Sequence, residues 1–221
     1  MKTTFEIPLV KATNDNLKGY GNLVDNFDNC QIQITQWPKQ GWREIDPGTG
    51  DEGGITEGSF DVWWDKNILY GKNNAVPHKN VNNYEKDDVY LLGYNCHPDE
   101  KNSKQNNEEI KNIYLWHANY HPDGGQLFFP IKKVPFVCAL ALPGDDIKPE
   151  NFKAFYFDGT MGLYIHPYIW HDAVFPICKA AKFKGKQGKI HARVSVDFNK
   201  EFNVYLKFKT SLYNLLIIYN Y

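Results

Sequence analysis

The chain has 221 residues, 42% of them apolar and 15% aromatic, and a formal net charge of −1. That length fits one domain with a single core, and the near-neutral balance argues against electrostatic capture of nucleic acid or an anionic membrane. The longest apolar run is too short to span a bilayer and MKTTFEIPLV lacks the apolar stretch of a signal peptide, so a cytoplasmic protein is expected.

In chain order, PLVKATNDNLKGYGNLVDN offers the one persuasive early helix, with Thr13 or Asn14 as its cap and Gly19 and Gly21 at its end. The glycine-rich DPGTGDEGG is expected to be loop, followed by a strand-like run through Phe60, Val62 and Trp63-Trp64. VYLLGYN (89–95) reads as a strand and the polar stretch after it, 97–111, as a solvated insertion. NIYLWHANYH (112–121) alternates apolar and polar side chains, as a half-buried strand does. PFVCALAL (135–142) is a nearly continuous apolar run suited to a central strand. FKAFYFD, GLYIHP and HDAVFPIC follow as short strands, KGKQGK as a loop, and IHARVSVDF and FNVYLKF close the series.

Many short strands with little helix predict an all-β sandwich or barrel. No helices alternate with the strands as a parallel α/β fold requires. No glycine-rich phosphate loop and no GxSxG elbow occurs, which argues against nucleotide binding and serine hydrolysis. The four cysteines, Cys30, Cys96, Cys138 and Cys178, form no CxxC pair and read as neutral thiols in a reducing compartment. Arg43 and Arg193 are the only arginines, so few groups are able to clamp a carboxylate in bidentate fashion.

Seven histidines carry most of the functional signal. His78 and His97, in polar loops, and His191, at a strand start, read as structural. The other four form two clusters, HANYH and HPYIWH. Residues two apart on a strand share a face, so His117, Asn119 and His121 point the same way, and Gln126 follows after a bend. His166 ends one strand, and His171 starts the next after the Pro167 turn. In HPDGGQLFFP, Pro122 and two glycines turn the chain while Leu127, Phe128 and Phe129 anchor the following strand. That pattern fixes His121 and Gln126 at a barrel mouth, where imidazoles and amides would meet a small polar substrate or a metal. The plainer alternative is two unrelated strand ends whose histidines face water.

Asn119-x-His121-x4-Gln126 resembles the first cupin motif, HxH followed by glutamate, with amides replacing the first histidine and the glutamate. IHPYIWH resembles the second motif, in which a proline turn delivers a histidine, here His171. YGNLVDNF, HPDGGQLFFP, PFVCALALPGDDIKPENFKAFYFDG and GLYIHPYIWHDAVF, in that order, resemble the ureidoglycolate lyase (ureidoglycolate hydrolase) family of cupins. The likeness covers about residues 8–27 and 112–178, and more weakly 190–206. It implies a single domain over 1–221, a cupin-type β-barrel (double-stranded β-helix or jelly roll) with a short N-terminal helix. Loop insertions fall near 46–58 and 97–111, and the assembly implied is a homodimer.

Besides those insertions, the chain departs from the family pattern at three places. Asn119 stands where an acidic residue is expected near the first-motif histidine. VDFNKE replaces the Asp-Arg pair of the last barrel strand, which makes Arg193 a candidate substitute. The tail TSLYNLLIIYNY has no counterpart.

The implied activity is a lyase reaction of purine and allantoin breakdown, releasing urea and glyoxylate from ureidoglycolate. It needs a base for the hydroxyl proton and an acid for the departing nitrogen, and imidazole suits both. The expected catalytic residues are His121, His166 and His171, with Asn119, Gln126 and Arg193 binding the substrate. Alternatively, His121, Gln126 and His171 hold a divalent metal such as Ni2+, with which the family is credited. Two other classes fit: another cupin enzyme acting on a small hydroxy acid or sugar as isomerase or lyase, and a non-catalytic cupin that binds a small ligand.

Overall fold

The computed structural model describes residues 2–36, 38–39, 41–50, 52–74, 89–102 and 109–210. Its strands, numbered along the chain, form two sheets. The larger sheet runs in the order β1 (Thr3–Glu6), β17 (Val204–Lys209), β7 (Asn112–Leu115), β6 (Val89–Tyr94), β5 (Ile68–Asn73), β4 (Glu52–Asp65), β15 (Ala180–Ile190), β9 (Gln126–Pro130), β12 (Gly162–Ile165) and β3 (Gly21–Val24). The smaller runs β16 (Val194–Asp197), β8 (His117–Tyr120), β13 (Trp170–His171), β10 (Phe136–Ala141), β11 (Lys153–Phe157) and β2 (Leu9–Lys11), with β14 (Phe175–Pro176) also on β10. The result is the all-β, jelly-roll-like barrel that the short-strand rhythm predicts.

The apolar run at 135–142 becomes β10, buried along its whole length. It pairs with β11 on one edge and with β13 and β14 on the other. Phe136 stacks on Phe157 at 4.6 Å between ring centroids and meets Phe183 of the larger sheet edge-on at 5.2 Å. Each buried ring contributes about 1.5–3 kcal/mol relative to exposure, so this triplet ties the two sheets together.

Both glycine-rich segments expected to be loops turn out partly or wholly as strand. β4 begins at Glu52, inside DPGTGDEGG, and β15 runs unbroken through KGKQGK; the two pair as Gly58↔Gly185, Thr56↔Gln187 and Ile55↔Gly188. A ladder needs only backbone groups, and β9 pairs with the other edge of β15. Lys186 is sequestered, its Nζ meeting Glu57 Oε1 at 3.1 Å and Cys30 O at 3.2 Å. Only the start of the 46–58 stretch keeps the expected turn.

The expected N-terminal helix is a pair of isolated helical turns, with Leu17 N donating to Thr13 O and Gly21 N to Leu17 O. Gly19, inside the second turn, takes φ +88° and stops propagation. The only α-helix among the described residues is α1 (Phe198–Phe202), capped by the Asp197 carboxylate and closed by Asn203 in the left-handed region. In the polar stretch 97–111, His97 caps a short 3-10 turn over Pro98–Glu100. His78 lies outside the described residues.

Candidate active site

On β8, Ala118 and Tyr120 are buried while His117 and Asn119 take the opposite face. Asn119 is in register with His171 of β13 on one side and Ser195 of β16 on the other. His121 follows immediately, and its carbonyl accepts from Tyr168 N at 2.9 Å. Tyr168 adopts φ +68° just after Pro167, a left-handed conformation that costs about 1 kcal/mol outside glycine. The proline turn therefore locks the second histidine cluster against the first.

His121 and His171 are both buried, with ring centroids 5.0 Å apart. His121 Nδ1 donates to Ala192 O at 2.9 Å, and His171 Nδ1 donates to Ile169 O at 2.7 Å. Because a carbonyl oxygen only accepts, each ring carries its proton on Nδ1 and keeps an Nε2 lone pair. His171 Nε2 lies 2.8 Å from the amide of Gln126, which in turn meets Gln187 at 3.1 Å. Gln126 Oε1 is placed towards His171 and Gln126 Nε2 towards Gln187 Oε1. A neutral His171 accepts at Nε2, so both glutamine amides are assigned turned over, with the Gln126 NH2 towards His171 and the Gln187 NH2 towards Gln126.

Burial is the main reason these rings stay neutral. It lowers His171 to about 4 and His121 well below the ordinary imidazole value, the latter helped by His191, His171 and Arg193 nearby. His117 is lowered to about 4 by burial and by Arg193. Arg193 lies on this side of β16. Its Nε donates to Asp46 Oδ2 at 2.6 Å, and the same oxygen accepts from Ser195 Oγ at 2.6 Å. Its side chain is 43% exposed. Asn119 Oδ1 is buried with no hydrogen-bond partner among the described residues, an acceptor whose desolvation a substrate N–H would offset.

Of the expected residues, the structure brings together Asn119, His121, Gln126 and His171, with Arg193 beside them. His166 stands apart. Its Nε2 is 3.0 Å from Asn22 Nδ2, and it lines a pocket of about 310 Å3 with Gln33, Tyr164, Pro167 and Tyr168, which His121 and His171 do not line. His191, read from sequence as structural, packs against His121 with centroids 4.0 Å apart. Its signal was the two-residue spacing of His191, Arg193 and Ser195, which sets all three on one side of an extended segment.

The donor set does not fit a resident divalent ion. His121, Gln126 and His171 supply two neutral imidazoles and a neutral amide with no carboxylate, and the amide is engaged with His171 directly. Among the described residues no three His, Cys, Asp or Glu side chains are grouped to hold a metal. All four thiols are raised by burial, away from the reactive thiolate.

A two-sheet barrel carrying paired imidazoles and an amide near one proline turn defines a cupin. The ureidoglycolate lyase family model matches residues 70–201, more than half of the chain, and the chain belongs to that family. A ureidoglycolate lyase from Azotobacter vinelandii (strain DJ / ATCC BAA-1303) is 33% identical over 60 residues, covering 27% of this chain and 36% of that relative. The alignment thus spans about a third of the relative's own length. No helix among the described residues is long and apolar enough to cross a membrane.

Proposed function

We propose that the protein releases urea and glyoxylate from ureidoglycolate, a lyase step suited to purine breakdown through allantoin. The observation that carries this reading is the meeting of His121, His171 and Gln126, both Nε2 lone pairs being set by Nδ1 hydrogen bonds. One imidazole takes the substrate hydroxyl proton. The oxygen's electrons form the new C=O bond as the C–N bond breaks, and its pair goes to the urea nitrogen. The imidazolium then returns the proton to that nitrogen, so no net proton is consumed. Burial makes this imidazolium a strong acid, which suits a poor leaving group.

Arg193, held by Asp46, binds the substrate carboxylate. Asn119 Oδ1 accepts an N–H of the urea moiety, and the Gln126 amide orients His171. The test is a substrate panel with urea and glyoxylate both measured. Ureidoglycolate should yield the two in equal amounts. Turnover of another hydroxy acid or a sugar without urea release would assign a different cupin enzyme, and tight binding without turnover a ligand-binding cupin.

A further inference from the structure

Residues 191–193, between β15 and β16, lie outside both ladders yet serve the site through three consecutive positions. His191 packs on His121, Ala192 O receives the His121 Nδ1 proton, and the Arg193 charge acts on the same ring. What holds this segment against His121 is Asp123. Its Oδ2 accepts from Ala192 N at 2.7 Å, so Ala192 is gripped at its N–H by Asp123 and at its C=O by His121. Asp123 is itself fixed from behind: its backbone O accepts from Thr35 N at 2.6 Å, and the neighbouring Gly124 bridges Ile34.

The carboxylate is a costly choice for this task. Asp123 is 6% exposed, and its Oδ1 has no hydrogen-bond partner among the described residues. A buried carboxylate held only by backbone N–H groups is destabilising unless it does something an apolar residue would not.

We propose that Asp123 is a positioning residue: by anchoring Ala192 it fixes the Nδ1–H tautomer of His121 and so keeps the ring's lone pair on Nε2. The kinetic consequence rests on the acid–base reading above, but the tautomer does not. The experiment is nitrogen NMR of the His121 ring in the full chain near neutral pH, alongside kcat and KM for urea release.

Wild type should show His121 as the Nδ1–H tautomer. Asp123→Ala should mix the tautomers and lower kcat by about tenfold or more, the scale of a misplaced catalytic group, with KM little changed. Asp123→Asn, whose amide oxygen still accepts from Ala192 N, should restore the single tautomer and most of kcat. If Asp123→Ala does not fold, Asp123→Ser, too short to reach Ala192 N, is read in the same way. An Nε2–H tautomer in wild type, or an unchanged tautomer in the Ala or Ser variant, overturns the proposal. Should ureidoglycolate prove not to be a substrate, the spectra still decide it.

Discussion

At the residue scale, the proposed reaction turns on two imidazoles kept neutral by burial. His171 is lowered to about 4, so it stays a competent base well below the ordinary histidine value. The kcat/KM profile should therefore hold down to about pH 5 and fall only below that; an acidic limb near 6.5 would show that the rings are not desolvated as described. His166, paired with Asn22 instead, should tolerate alanine with less than about tenfold loss. A loss as large as that of His121→Ala would bring it back into the mechanism.

Asp172 behaves oppositely to the imidazoles. Burial raises its carboxyl from 3.8 to about 7, so the folded state holds a proton there that the unfolded chain lacks. Its stabilising contribution is present at low pH and is lost as pH rises towards and through about 7. Asp172→Asn, which can still accept from Ala173 N, should therefore gain in melting temperature over wild type between pH 5 and pH 8; a constant difference would contradict the shift. Residue by residue, the two-residue strand period made His121 and Asn119 legible, and the proline turn did so for His171. Asp123 escapes such reading because its partner Ala192 lies about seventy positions away, and the spacing of His191 places it on the Arg193 side without revealing that it meets His121.

At the element scale, apolar runs with turn residues between them made β10, β11, β12 and β17 readable. The β4–β15 pair was not, because glycine and lysine signal loop when the partner strand is unseen. The energetics of individual glycines separate the two cases. Gly185 has no close obstruction at a Cβ position, the nearest atom there being Leu127 O at 3.5 Å. Gly185→Ala should stabilise by about 0.5–1 kcal/mol through loss of unfolded-state freedom. Gly159, at φ +81° with a Cβ position 2.2 Å from Val134 O, should lose about 2 kcal/mol or more as alanine. Denaturant melts of both variants check this, and equal effects would mean that the β15 segment is not strand.

At the scale of the whole molecule, family membership extends the argument to assembly and cofactor. Trp64 is buried, its Nε1 donating to Pro176 O, whereas Trp42 is 65% exposed, an aromatic that a second copy would cover. Light scattering at micromolar concentration should report a homodimer, and a monomer would count against that expectation. Chelator dialysis should leave urea release intact because His121, Gln126 and His171 include no anionic ligand; activity lost and restored by Ni2+ would assign the metal role to them. The most direct test of the central claim is kcat/KM for urea release from ureidoglycolate by His121→Ala and His171→Ala. Each should fall about 10²-fold or more while remaining folded, and near-wild-type turnover in both folded variants would show that these histidines are structural.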